Sequence, residues 1–74
     1  MTEQEVFAKI IEAIQPVNPI DYDTEILSSE DFNSLGMFNL LAEFKPLGVK
    51  IAMRDLLAVD TVGELVKLIV SRAP

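Results

Sequence analysis

The apolar positions of the chain fall into helical stripes separated by polar, turn-rich stretches. Val6, Phe7, Ile10, Ile11 and Ile14 recur at three- and four-residue spacing and predict an amphipathic first helix. Thr2-Glu3-Gln4-Glu5 precedes them and matches a capping box, with Thr2 as the cap and Glu5 reaching back to it. Pro16 blocks continuation of the helix, and Pro19 confirms a loop. In the acidic stretch from Asn18 to Phe32, the apolar residues Ile20, Tyr22, Ile26, Leu27 and Phe32 show no sustained period. They predict a long loop pinned to the core by those side chains; a short helical turn within it is compatible with the pattern.

A dense apolar run begins directly after Asn33-Ser34. Leu35, Phe38, Leu41 and Ala42 share one face of a predicted second helix, and Met37, Leu40 and Phe44 widen it enough to contact two neighbours. Either Asn33 or Ser34 can cap the first turn. With Asn33 as cap, Phe32 and Met37 stand at the positions of a hydrophobic staple. Pro46 ends or kinks the helix, and Gly48 reinforces the stop. Leu47, Val49 and Ile51 alternate as in a strand, but the run is short and has no partner. It reads as an extended connector into a short helix around Met53–Leu57. The last stripe, Val62, Leu65, Val66 and Ile69, follows candidate caps Asp60 and Thr61 and a second capping box, Thr61-Val62-Gly63-Glu64. Arg72 lies near its end, where positive charge suits the helix dipole. The expected fold is all-α. It is a small antiparallel four-helix bundle of three main helices and one short one, with a long loop between helices one and two, in one domain over residues 1–74.

Composition narrows the chemistry more than the fold. At 74 residues the chain is near the lower end of what folds without staples, and its 50% hydrophobic content makes a core feasible. It has no Cys and no His. That removes disulfides, thiolate metal sites, the commonest general base and the commonest metal ligand, so no catalytic residue and no metal site is expected. No acidic loop has the alternating oxygen spacing of a calcium loop. The net charge of −6 disfavours nucleic acid; it steers basic protein partners or simply maintains solubility. The N-terminus is acidic where a signal peptide is basic, and no segment approaches transmembrane length. A free-standing, monomeric, cytoplasmic protein without membrane contact is the expectation.

The order of parts is helix, long acidic loop, serine opening a second helix, short third helix, and a final helix beginning Thr-Val. This resembles the acyl and peptidyl carrier proteins of fatty acid, polyketide and non-ribosomal peptide synthesis. In that family an Asp-Ser-Leu motif opens helix two, and its serine receives 4′-phosphopantetheine from coenzyme A. The matching residues here are Asn33, Ser34 and Leu35, followed by Gly36-Met37, and the likeness is best from Phe32 to Ile69. It implies a non-enzymatic carrier of acyl or aminoacyl thioesters on Ser34. Its partners would be a phosphopantetheinyl transferase, loading enzymes, and condensing or tailoring enzymes. Capping by Ser34 is the plain alternative role, worth about 1 kcal/mol, and is compatible with attachment.

The departures from the family pattern are specific. Asn33 replaces the usual Asp, and Glu30-Asp31 replace the common Leu-Gly, with Phe32 as the substitute loop anchor. Helix two is usually acidic outside; here Glu43 is its one acid, and Gly36 and Asn39 stand where charges often lie. The expected partner surface is Glu30, Asp31, Gly36, Met37 and Glu43, with Asp21, Asp23 and Glu25 adding negative charge. Gly36, which costs roughly 0.5–1 kcal/mol against Ala in a helix interior, is read as leaving room beside Ser34. Met37, Leu41, Ile51 and Leu57 are the candidate lining of an acyl cleft. The competing function is a helical interaction module with the carrier fold and no prosthetic group, favoured by Asn33 and the missing acids.

Overall fold

The computed structural model describes residues 1–74. Four α-helices form the molecule: α1 Glu3–Ile14, α2 Ser34–Phe44, α3 Met53–Ala58 and α4 Val62–Arg72. There are no strands, so the fold is the expected small all-α bundle. α1 packs on α2 and α4, and α2 packs also on α3.

α1 starts as its sequence predicts. Glu5 N–H donates to Thr2 Oγ1 at 3.1 Å, and Thr2 N–H donates to Glu5 Oε1 at 2.8 Å. Val6 and Ile10 are fully buried, and the unremarked Ala13 is buried with them, while Ile11 is only partly covered. α4 buries Val62, Leu65, Val66 and Ile69 completely. Its capping box is only half made. Thr61 Oγ1 accepts from Glu64 N–H at 3.2 Å, but Glu64 meets the Thr61 hydroxyl rather than its N–H. Arg72 does more than face the helix dipole: it donates to the Lys50 carbonyl at 2.9 Å and pairs with Asp55 at 3.5 Å. Asp55 in turn accepts from Ala52 N–H at 2.8 Å, which closes the first turn of α3. That amide, and then Arg72, hold the Asp55 carboxyl below its usual pKa.

The long loop is attached by backbone hydrogen bonds as well as by the expected side chains, Ile20 among them. Val62 N–H donates to Thr24 O at 2.9 Å and Gly63 N–H to Tyr22 O at 2.8 Å, while Ile26 N–H donates to Asp60 O at 2.9 Å. Ile26 and Phe32 enter the core, Tyr22 stacks on Phe7 with ring centroids 5.1 Å apart, and Leu27 points outward at 66% exposure. Leu27 is thus no anchor. The short helical turn in the loop is a 3₁₀ turn at Glu30–Phe32, capped by Ser29.

α2 buries a different side from the one expected. Met37, Leu40 and Phe44 face the core with Gly36, and Leu41 is half-buried. Leu35 and Phe38 are exposed at 70% and 61%, and Ala42 is exposed with them. The helix is apolar on most of its circumference, so its pattern carries little phase information; its neighbours choose the buried side. Pro46 sits in a 3₁₀ turn, Lys45–Leu47, that extends α2, and Gly48 stops it in the left-handed conformation at φ 80°.

Candidate functional site at the start of the second helix

Asn33 is the cap of α2. Its backbone is extended, and its Oδ1 accepts from Gly36 N–H at 2.9 Å. Its side-chain amide donates to the Glu30 carbonyl at 3.1 Å, which ties the cap to the preceding turn. Phe32 and Met37, on either side of the cap, are both 5% exposed, in line with a hydrophobic staple. Ser34 therefore occupies the first helical position, exposed and relieved of capping.

The chain has four serines, and Ser34 differs from the rest. Ser28 donates to Glu25 Oε1, Ser29 accepts from Asp31 N–H, and Ser71 donates to the Leu68 carbonyl. No protein group bonds the Ser34 hydroxyl. The Ser34 and Leu35 N–H groups also lack protein acceptors, and no acid lies in the first turn of α2. Every other α-helix has an acid there: Glu3 and Glu5 in α1, Asp55 in α3, Glu64 in α4. The start of α2 thus combines a free hydroxyl, two free N–H donors and an uncompensated helix dipole, an arrangement suited to a phosphodiester.

The residues around this point correct several expectations. Asp31 is 8% exposed and turned inward. It accepts from Val17 N–H at 2.9 Å, from Asn18 N–H at 3.3 Å and from the Asn18 side chain at 3.1 Å. Its carboxylate closes the chain leaving α1 onto the approach to α2, so it adds no negative surface for a partner. The Val17 amide, with help from Asn18, holds its pKa below the usual carboxylate value against the opposing effect of burial. Gly36 is buried too, and the reason is contact rather than space for a ligand. A Cβ there would lie 2.7 Å from the Asp31 carbonyl oxygen. Met37 is likewise in the core and unavailable to a partner. Glu30 and Glu43 are exposed, as are Asp21, Asp23 and Glu25.

Three concavities mark the surface. The largest, about 720 Å³, is an open dish in the loop with Ile20 as its one apolar wall, and it suits no acyl chain. A second, about 450 Å³, lies between the end of α1 and α2, with Gln15, Asn33 and Asn39 among its walls. The third, about 480 Å³, is lined by Leu41, Val49 and Ile51 together with Lys45, Gly48 and Lys50. It brings together two of the four residues expected in an acyl cleft. Met37 lies in the core and Leu57, 53% exposed, lies outside the groove.

The family model for the phosphopantetheine attachment site matches residues 4–69. The chain belongs to that family, whose members carry covalently attached 4′-phosphopantetheine and act as carriers. No curated protein and no solved structure matches the chain at a significant level. No helix is long and apolar enough to cross a membrane.

Proposed function

We propose that Ser34 is the residue that bears the 4′-phosphopantetheine, and that the chain shuttles acyl or aminoacyl intermediates as thioesters on that arm. The observation that carries this reading is the contrast among the serines: only Ser34 has a hydroxyl free of hydrogen bonds, and it stands at the first turn of an exposed helix terminus. Asn33 holds the helix start and Leu35 continues it, so the backbone that carries the hydroxyl is fixed while the hydroxyl itself stays free. With no His in the chain and no acid in the first turn of α2, the base that takes the hydroxyl proton comes in this reading from the transferase.

Partners in this reading are the phosphopantetheinyl transferase, an acyl-loading enzyme and condensing or tailoring enzymes. The setting is polyketide, fatty-acid-like or non-ribosomal peptide synthesis. The outer side of α2 offers them Leu35, Phe38 and Ala42, with Glu43 as its one acid, while Asp21, Asp23, Glu25 and Glu30 supply negative charge from the loop. Such a surface favours dedicated partners that read apolar contacts.

The test is intact mass after incubation with coenzyme A, magnesium and a broad-specificity transferase. A gain of one phosphopantetheine that disappears in Ser34→Ala supports the assignment. A gain that persists in Ser34→Ala moves the attachment elsewhere. No gain with folded protein, including with the host's own transferase, leaves the interaction module as the better description.

A further inference from the structure

The six basic residues of this acidic chain are unevenly placed. Lys45, Lys50 and Arg54 fall in one ten-residue segment that contains no acid. That segment carries three positive charges, so the rest of the chain carries −9 to reach the net −6. Arg72–Asp55 is the only ion pair in the molecule, so Lys45 and Lys50 have no carboxylate partner. Both lysines stand on the third groove, whose apolar wall is Leu41, Val49 and Ile51.

Helix geometry connects this groove to Ser34. Leu41 and Lys45 follow Ser34 by seven and eleven residues, which places all three within about 20° of one line along the helix surface. The exposed Phe38 lies one turn from Ser34 on the same side. Leu41 is about 10 Å along the axis and Lys45 about 16 Å. Pantoate, β-alanine and cysteamine, extended at backbone-like dimensions, reach on the order of 15 Å. A thioester on Ser34 therefore arrives at the Leu41 edge with the arm incompletely extended, and a medium-length chain of about six carbons spans the remaining ~6 Å to Lys45. The groove between α1 and α2 starts beside Ser34, at Asn33 and Leu35, but its walls include Gln15, Glu30, Asp31 and Asn39 and no basic residue, so it offers a terminal carboxylate no partner.

We infer that this groove receives the acyl group carried on Ser34, and that Lys45 and Lys50 select medium-length acyl chains ending in a carboxylate. The apolar wall holds the methylenes, and the lysine ammonium groups meet the terminal carboxylate in the segment with the most positive charge. The inference rests on attachment at Ser34. It adds the class of cargo.

The experiment loads the protein from adipoyl- and hexanoyl-coenzyme A with a permissive transferase, which gives two forms of equal chain length that differ in the terminal charge. Intact mass first verifies the loading, so failure of the Ser34 assignment shows itself before the cargo is tested. The expected result is a larger amide chemical-shift change at Gly48, Val49 and Ile51 with adipoyl than with hexanoyl. Hydroxylamine should also cleave the adipoyl thioester several-fold more slowly. Lys45→Glu/Lys50→Glu should erase the difference and leave the hexanoyl form unaffected. Both side chains are exposed, and Lys45→Gln/Lys50→Gln provides the same comparison if charge reversal disturbs folding. Equal shifts and equal cleavage for the two cargoes, or a difference that survives the lysine substitutions, would overturn the inference.

Discussion

Helices α2 and α4 both start on a side-chain cap, Asn33 in one and Thr61 in the other, and each has the four N–H groups of a first turn to satisfy. In α4 all four are used. Val62 and Gly63 donate to the loop carbonyls of Thr24 and Tyr22, Glu64 donates to the Thr61 hydroxyl, and Leu65 donates to the Thr61 carbonyl. Glu64 adds a negative charge where the dipole favours one. In α2 only Gly36 and Met37 find acceptors, both on Asn33, and no acid is present. Spending every donor at α4 holds the long loop in place. At α2 two donors and a hydroxyl stay unspent, which is what the proposed attachment of a phosphodiester at Ser34 requires. Similar caps thus serve opposite ends, and the difference lies in what approaches the first turn.

The largest effect expected from breaking this contrast is chemical. Ser34→Ala should abolish the phosphopantetheine mass gain while leaving the melting temperature nearly unchanged, because Asn33 holds the cap. A melting temperature that falls as far as for loss of a cap would mean that Ser34 supports the helix after all.

Gly36→Ala comes next. On an exposed helix this change is normally stabilising, by roughly 0.5–1 kcal/mol. Here the new methyl would meet the Asp31 carbonyl at 2.7 Å and Ile14 at 3.4 Å. Backbone gives way poorly, so a net loss of about 1–3 kcal/mol is expected, the usual scale of overpacking. Urea unfolding measures it, and an unchanged or raised midpoint would refute the close approach of α2 to the 3₁₀ turn.

Acid should weaken the same region. Asp31 has a lowered pKa in the folded state, so its contribution to stability is complete above the ordinary value of 3.8 and is lost as pH falls from there through the folded pKa. Asp55 follows the same sign. Melting temperature followed from neutral pH to below pH 3.8 should drop less in Asp31→Asn than in the parent, and the two curves should converge at the acid end. Parallel curves would mean that the bonds to Val17 and Asn18 do not favour the ionised form.

Thr61→Ala should cost about 1 kcal/mol, as loss of a hydroxyl cap does, without touching the mass gain at Ser34. It is the mirror of Ser34→Ala, with stability lost and loading kept. Loss of loading in Thr61→Ala would couple the two helix starts through the loop.

How much of this was legible in the sequence depended on whether the partner was local. α1 and α4 were readable because each has one apolar stripe and a cap within three residues. The short α3 was readable from its place between a connector and a cap. α2 was found but turned the wrong way. Leu35, Phe38 and Ala42 look like core by type, and only the packing of α1 and α3 shows that Gly36, Leu40 and Phe44 face inward. Asp31 looked like a surface acid because its acceptor role depends on backbone amides 13 and 14 residues away, which leave no mark in side-chain pattern. Gly36 misled for the same reason: the atom that demands a glycine is a main-chain carbonyl. Family order singles out Ser34 as the candidate for attachment, whereas its freedom from bonds shows only beside the other three serines in the fold.

The smallest expected effect sharpens the contrast most. Asn33→Asp keeps the cap geometry and gives α2 the negative charge that the other α-helices already have at their starts. In the unmodified protein it should stabilise by about 0.3–1 kcal/mol, the usual value of an anion at a helix N-terminus. After phosphopantetheine is attached, the phosphodiester already supplies negative charge at that place, and a carboxylate beside it meets repulsion. The gain should therefore shrink or reverse in the modified form. Melting temperatures of both proteins, with and without the arm, close a four-cornered cycle whose coupling isolates the meeting of the two charges. A clear unfavourable coupling places the phosphate over the first turn of α2. Strictly additive effects would mean that the arm's phosphate leaves the helix end and the free N–H groups of Ser34 and Leu35 stay in water.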